Sequence, residues 1–280
     1  MGKTFKKYNK SQSDNVKDIY ADDYETFGYE VQNARRTPKT KKVSKFKDYD
    51  YDWPSPIIYT GGSNVPFFII MLHYPLQTEG VLLHQFQSNQ LLPLLSEAEH
   101  MLHSPELYTD ANEDLGGHLE REYDLSPESH NYLESLVLPF VDSYKEIYPG
   151  CEDRYSILTA PRPHTLSASW CNFQKKYEFN PVHNHNGIYS FVIWLKVPYL
   201  IEDEINQPWC KRANTKCAGH FEIYFQDTLG SLRSERIPAD KTYENHMLFF
   251  PAWMHHSVYP FYTSDAYRIS VSGNFIWTPA

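Results

Sequence analysis

His183 and His185 stand two residues apart in Asn180-Pro-Val-His-Asn-His-Asn-Gly187, directly before the β-rich run 188–197. On an extended backbone both side chains point to one side, with Cα atoms separated by about two rises of ~3.3 Å. Two imidazoles so placed can bind one metal ion in adjacent positions. A second pair, His255-His256, ends the run Leu248-Phe-Phe-Pro-Ala-Trp-Met, with His256 lying 71 residues after His185. In a jelly roll, strands far apart in sequence become neighbours across the barrel mouth, so the two clusters can meet in a three-residue facial site. A third element is Tyr267-Arg-Ile-Ser-Val-Ser-Gly-Asn-Phe275. Alternation there puts Arg268, Ser270, Ser272 and Asn274 on one face and Ile269, Val271 and Phe275 on the other. An Arg with a Ser two residues on can hold a carboxylate through a charge-assisted fork plus a hydroxyl hydrogen bond.

Each piece alone has an ordinary explanation: exposed loop histidines, a histidine satisfied in the core, a solvent-facing strand arginine. Their order along the chain, with Arg268 following His256 by twelve residues, is what favours a site.

The elements that must position these residues are short strands. Runs 166–173, 188–197, 219–226, 246–250 and 267–275 are β-rich and bounded by Pro, Asn, Gly and Asp. Their long connections and the lack of β-α-β alternation point to a mainly β fold with supporting α-helices, with a Greek key or jelly roll in the C-terminal half. Residues 88–150 read as helical. Leu94, Leu95, Ala98, Met101 and Leu102 recur at helical spacing, with Pro93 expected in the first turn and Ser104-Pro105 as the stop. Ser126-Pro127 predicts an N-cap and first turn, and Pro139 should kink or split the helix that follows. Before them, 57–59 and 67–72 read as strands around the turn Gly61-Gly-Ser-Asn64.

Three regions result: an extension over 1–50, a mixed α/β supporting region over 51–160, and the β-rich region over 161–280. Residues 1–50 carry 12 Lys/Arg against 8 Asp/Glu, and residues 51–280 carry 14 against 27, a net charge of −13. An acidic body repels phosphate backbones, which argues against nucleic acid as its partner. The basic extension lacks sustained apolar periodicity and suits contact with a protein partner. No run approaches the roughly 20 apolar residues of a membrane span, and the basic amino terminus has no apolar stretch behind it, so a cytoplasmic setting without membrane contact is expected. The four cysteines, Cys151, Cys171, Cys210 and Cys217, contain no C-x-x-C pair. Cys210, Cys217 and His220 make at most an incomplete zinc set.

In the order Trp170-Cys-Asn172, His183-Asn-His185, the strand Ser190–Pro198, Phe250-Pro-Ala-Trp253-Met-His-His256 and Arg268-Ile-Ser270, the chain resembles the iron(II)/2-oxoglutarate-dependent oxygenases, in particular those common in marine bacteria and their tailed phages. The resemblance covers roughly residues 165–276. It implies a double-stranded β-helix with iron(II) in the mouth, 2-oxoglutarate chelating it, and dioxygen as co-substrate. Neutral imidazoles bind iron(II) well, and a three-ligand facial site leaves positions for the co-substrates. The implied set is His183, His185 and His256 for the metal and catalysis, with Arg268, Ser270 and Asn172 around 2-oxoglutarate. For a phage-encoded chain the setting would be the host cytoplasm.

Two departures matter. The wider superfamily uses H-x-D/E, whereas both positions here are His, so either three histidines bind or one of the pair stands behind the other. A second assignment uses His185 with Gly187 in the carboxylate position, leaving a vacancy for halide as in halogenases. The three-histidine set also resembles cupins, although their glutamate after the histidine pair is missing from Gly187-Ile-Tyr-Ser-Phe-Val192. The expected function is a hydroxylase acting on an unidentified small molecule or protein. The alternative is a non-catalytic jelly-roll structural or interaction protein that keeps a metal site.

Overall fold

A computed structural model describes residues 58–59, 69–70, 79–155, 162–227 and 229–279. The chain divides between Tyr74 and Pro75 into two units. In the first, strands β1 (Ile58–Tyr59) and β2 (Ile69–Ile70) pair antiparallel, Ile58 opposite Ile70. The expected turn between them and the extension over 1–50 lie outside the described residues.

The described residues of the second unit hold ten strands: β3 (Leu82–Gln85), β4 (Arg121–Asp124), β5 (His164–Gln174), β6 (Asn180–His183), β7 (Tyr189–Lys196), β8 (Phe221–Gln226), β9 (Leu232–Ile237), β10 (His246–Pro251), β11 (His255–Val258) and β12 (Arg268–Trp277). They form a six-stranded sheet in the order β3-β10-β7-β12-β5-β4 and a four-stranded sheet in the order β6-β11-β8-β9, antiparallel throughout. The pairs β5–β12, β6–β11, β7–β10 and β8–β9 nest like one long hairpin whose tip joins β8 to β9. Successive pairs fall alternately in the large and small sheets, with β8–β9 in the small sheet beside β6–β11. This is the jelly-roll topology expected from the sequence, and it is what lets β6, β11 and β12 meet.

The centre of the large sheet is covered on both faces, so β7 and β10 read as nearly continuous apolar runs; β7 is buried at seven consecutive positions. Its outer face packs Cys171, Phe173, Phe191, Ile193, Met247, Phe249 and Val271 against three helices, α1 (Ser88–His103), α2 (Pro127–Val137) and α3 (Pro139–Ile147). Helix α1 contributes Leu91, Leu94, Ala98 and Met101 at helical spacing. Its first turn starts at Ser88, so Pro93 sits one turn deeper than expected, where it removes one backbone donor. Helix α2 begins as predicted: Ser126 accepts from the backbone N–H of Ser129, with Pro127 in the first turn. Pro139 splits the run, opening α3. The inner face of the large sheet, with Val192, Trp194, Leu248 and Phe250, packs on Phe221, Ile223 and Val258 of the small sheet. Two short helices, α4 (Ile201–Ile205) and α5 (Pro208–Lys211), lie in the connection from β7 to β8.

Sequence reasoning missed β3, β4, β6, β9 and β11. Four have only four residues, too few to display a period. β9 is an exposed, charged strand, Leu-Arg-Ser-Glu-Arg-Ile, the composition by which sheet edges avoid pairing with other chains.

Candidate metal centre

Between the two sheets lies a recess of about 490 Å3, counting its open mouth, and every predicted site residue lines it: Asn172, His183, His185, His256, Arg268 and Ser270. β11 brings the first cluster to the second. His256 is the cross-strand partner of His183, and their ring centroids are 4.3 Å apart. His185 follows β6 and is tied down by its backbone N–H, which donates to Ala252 O at 2.8 Å. Its ring stacks on that of His256, with the two Nε2 atoms 3.2 Å apart. One nitrogen from each of the three imidazoles lies within 4.8 Å of the others. Strand alternation buries His256 and exposes His255.

The donor set fits a divalent transition metal. His183 Nδ1 lies 2.7 Å from Pro181 O and His256 Nδ1 3.1 Å from Met254 O. A carbonyl only accepts, so both rings carry their proton on Nδ1 and turn the Nε2 lone pair elsewhere. Burial holds all three imidazoles neutral: it lowers His256 well below the ordinary histidine value, with His183 and His185 adding to the effect, and takes His185 down to about 3. His183 is lowered for the same reason, against the opposing hydrogen bond to Pro181. Three neutral, mutually close imidazoles are a nitrogen face suited to iron, zinc, copper or nickel.

Gly187 does not stand in a ligand position. Its φ is +111°, and a Cβ there would meet Phe275 O at 2.8 Å. It is a turn glycine pressed against β12, so the assignment that leaves a halide vacancy at Gly187 is not what the fold builds.

The opposite side of the recess is cationic. Arg268 begins β12, is 4% exposed, and donates from Nη1 to the Tyr199 hydroxyl at 3.0 Å. That hydroxyl in turn donates to Gly219 O at 2.8 Å and lies 3.1 Å from Ala239 O. No acidic group pairs with Arg268 among the described residues. A buried guanidinium held by one neutral oxygen calls for an anion. Ser270 stands next on the same face, opposite Asn172 on β5. Asn172 accepts from Trp170 Nε1 at 3.1 Å, and its Nδ2 reaches the hydroxyls of Ser270 and Ser272 at 3.4 Å. Trp194, Val192, Phe221, Phe250 and Val258 complete an apolar wall.

Trp194 lines the recess, and Tyr177, Tyr189 and Trp253 do not. Tyr177 is exposed, Tyr189 belongs to the core on the other face of the sheet, and Trp253 stacks under Arg154. Tyr199, Gln174 and Asn180 went unrecognised; Tyr199 sits in an irregular segment after Val197-Pro198, where no period marks which way it points.

Residues 168–274 match the family model described as "Putative 2OG-Fe(II) oxygenase", a span that contains all six predicted site residues. Over that span the chain is similar to the 2OG-Fe(II) oxygenases. No curated protein matches it. Among solved structures, a Pseudomonas putida prolyl-4-hydroxylase is 14% identical with a TM-score of 0.42, covering 72% of this chain and 95% of its own. A viral collagen prolyl hydroxylase from Paramecium Bursaria Chlorella virus-1, solved as its 2OG complex, is 10% identical with a TM-score of 0.39, covering 70% and 94%. HygX from Streptomyces hygroscopicus, with nickel and 2-oxoglutarate bound, is 11% identical with a TM-score of 0.41, covering 72% and 84%. No helix among the described residues is long and apolar enough to cross a membrane.

Proposed function

We propose that the protein is an iron(II)- and 2-oxoglutarate-dependent oxygenase that hydroxylates a C–H bond of its substrate. The observation that carries this reading is the pairing, in one recess of the family-matched segment, of three convergent neutral histidines with a buried arginine that has no acidic partner among the described residues.

His183, His185 and His256 would hold the iron, which supplies positions and electrons for dioxygen chemistry. Arg268 and Ser270 would take the distal carboxylate of 2-oxoglutarate, with Asn172 orienting the Ser270 hydroxyl and Tyr199 fixing the guanidinium. The apolar wall keeps water from the reacting atoms. The overall conversion consumes 2-oxoglutarate, dioxygen and R–H and yields succinate, carbon dioxide and R–OH.

Incubating the iron-loaded full chain with 2-oxoglutarate in air tests the reading. Slow succinate formation without added substrate is expected, and its loss in His256→Ala. A protein that retains no first-row metal and makes no succinate would instead support the non-catalytic jelly-roll reading.

A further inference from the structure

Glu122 is a buried carboxylate that nothing in the fold explains. It is 1% exposed, and neither of its oxygens has a hydrogen-bond donor among the described residues. Leaving such a group without donors costs several kcal/mol, so a carboxylate of this kind either stays protonated or receives a partner from outside the chain. Burial first, then Asp110 and Glu178, raise its pKa to about 7. Among the described residues no cation offsets that shift.

Its position is defined by register. On β4, Glu122 is opposite Asn172, whose own cross-strand neighbour is Ser270. Opposed residues share a face, so Glu122 lies on the recess side of the sheet, two strand spacings, roughly 10 Å, from Ser270. It is therefore separate from the anion site at Arg268. Both Glu122 oxygens and Asn180 Nδ2 converge within 3.0–3.1 Å of the point that a Gly117 side chain would occupy. A Cβ on the adjacent Gly116 would lie 3.5 Å from His183 Cγ. The two glycines thus run between a candidate metal ligand and the Glu122 carboxylate. Asn180 and Gln174, whose Oε1 is also without a donor, line the recess beside it.

We infer that Glu122, with Asn180 and Gln174, forms the subsite that receives a cationic group, an ammonium or guanidinium, of the primary substrate. A cation satisfies both carboxylate oxygens and offsets the charge, which a single neutral hydroxyl cannot do. The net charge of −13 over residues 51–280 draws cations toward the body. The inference rests on the oxygenase reading only in calling the occupant the substrate.

The test uses the full chain loaded with metal and 2-oxoglutarate, and three probes: N-acetyl-arginine methylamide, N-acetyl-lysine methylamide and the neutral N-acetyl-norleucine methylamide. Binding is followed by calorimetry in the native protein and in Glu122→Gln. At least one cationic probe should bind about tenfold or more tightly than the neutral one, and Glu122→Gln should erase that preference while leaving 2-oxoglutarate affinity and metal content unchanged. A folded Glu122→Gln protein that keeps the preference overturns the inference, as does a native protein that binds neither cationic probe saturably. A merely structural Glu122 would lower the melting temperature on substitution and leave the preference in place. If 2-oxoglutarate fails to bind but the preference persists, the oxygenase reading falls and the cation subsite stands.

Discussion

His183 and His256 are cross-strand partners on β6 and β11, two strands separated by more than 70 residues of chain and joined only because the jelly roll nests its hairpin pairs. Both rings are fixed by a carbonyl at Nδ1. The candidate metal face is thus built by the backbone of one strand pair, with His185 added from the loop.

Replacing His256 by Ala should therefore abolish stoichiometric metal binding without unfolding the protein. Metal bound only to the native state stabilises it by mass action, about 2.7 kcal/mol at a hundredfold excess over Kd. Calorimetric melting should show an upward shift with iron(II) or a surrogate divalent metal in the native protein and none in His256→Ala.

At the other end of the recess, Arg268→Ala should weaken 2-oxoglutarate binding by at least about 30-fold, the equivalent of ~2 kcal/mol for a buried charge-assisted contact, with metal content intact. Tyr199→Phe should lose about 1–3 kcal/mol of stability, because its hydroxyl serves Arg268, Gly219 O and Ala239 O at once. It should also weaken 2-oxoglutarate binding, though less than Arg268→Ala does. Calorimetric titration and thermal melting measure both.

Gly187→Ala should destabilise the protein by about 2–4 kcal/mol, since it combines a left-handed φ with a Cβ 2.8 Å from a carbonyl oxygen. Gly187→Asp should add no metal ligand. Metal analysis showing a tighter site in Gly187→Asp would contradict the placement of Gly187 against β12.

The carboxylate of Glu122 gives stability a sign with pH. Asp110 and Glu178 face it, burial disfavours its charge, and its folded pKa of about 7 exceeds the unfolded value of 4.5. Between those values the folded state binds more protons, so its contribution to stability falls as pH rises from 4.5 to 7 and stays low above. The cost above pH 7 is on the order of 3 kcal/mol. Chemical denaturation of Glu122→Gln against the native protein should show the variant more stable at pH 8 and the difference vanishing toward pH 4.5.

The long strands and the site's main residues were legible because each carries its own signal. β7 and β10 are apolar runs and β5 and β12 are β-rich strands of ten or more residues, long enough to read, and His183, His185, His256, Arg268 and Ser270 are chemistry-bearing residues at spacings a strand turns to one face. Glu122 and Asn180 were not legible. They sit on the four-residue strands β4 and β6, and only the pairing of β4 with β5 and of β6 with β11 turns them toward the recess. Tyr199 depends on a contact to Arg268 across 69 positions of sequence, which no local pattern encodes.

Anaerobic titration of the full chain, first with iron(II) and then with 2-oxoglutarate, addresses the central claim most directly. One iron per chain should bind, and a weak visible charge-transfer band should appear only on adding 2-oxoglutarate, be lost in His256→Ala, and require more 2-oxoglutarate in Arg268→Ala. Iron bound at one per chain with no band at any 2-oxoglutarate concentration, or no stoichiometric iron at all, would contradict it.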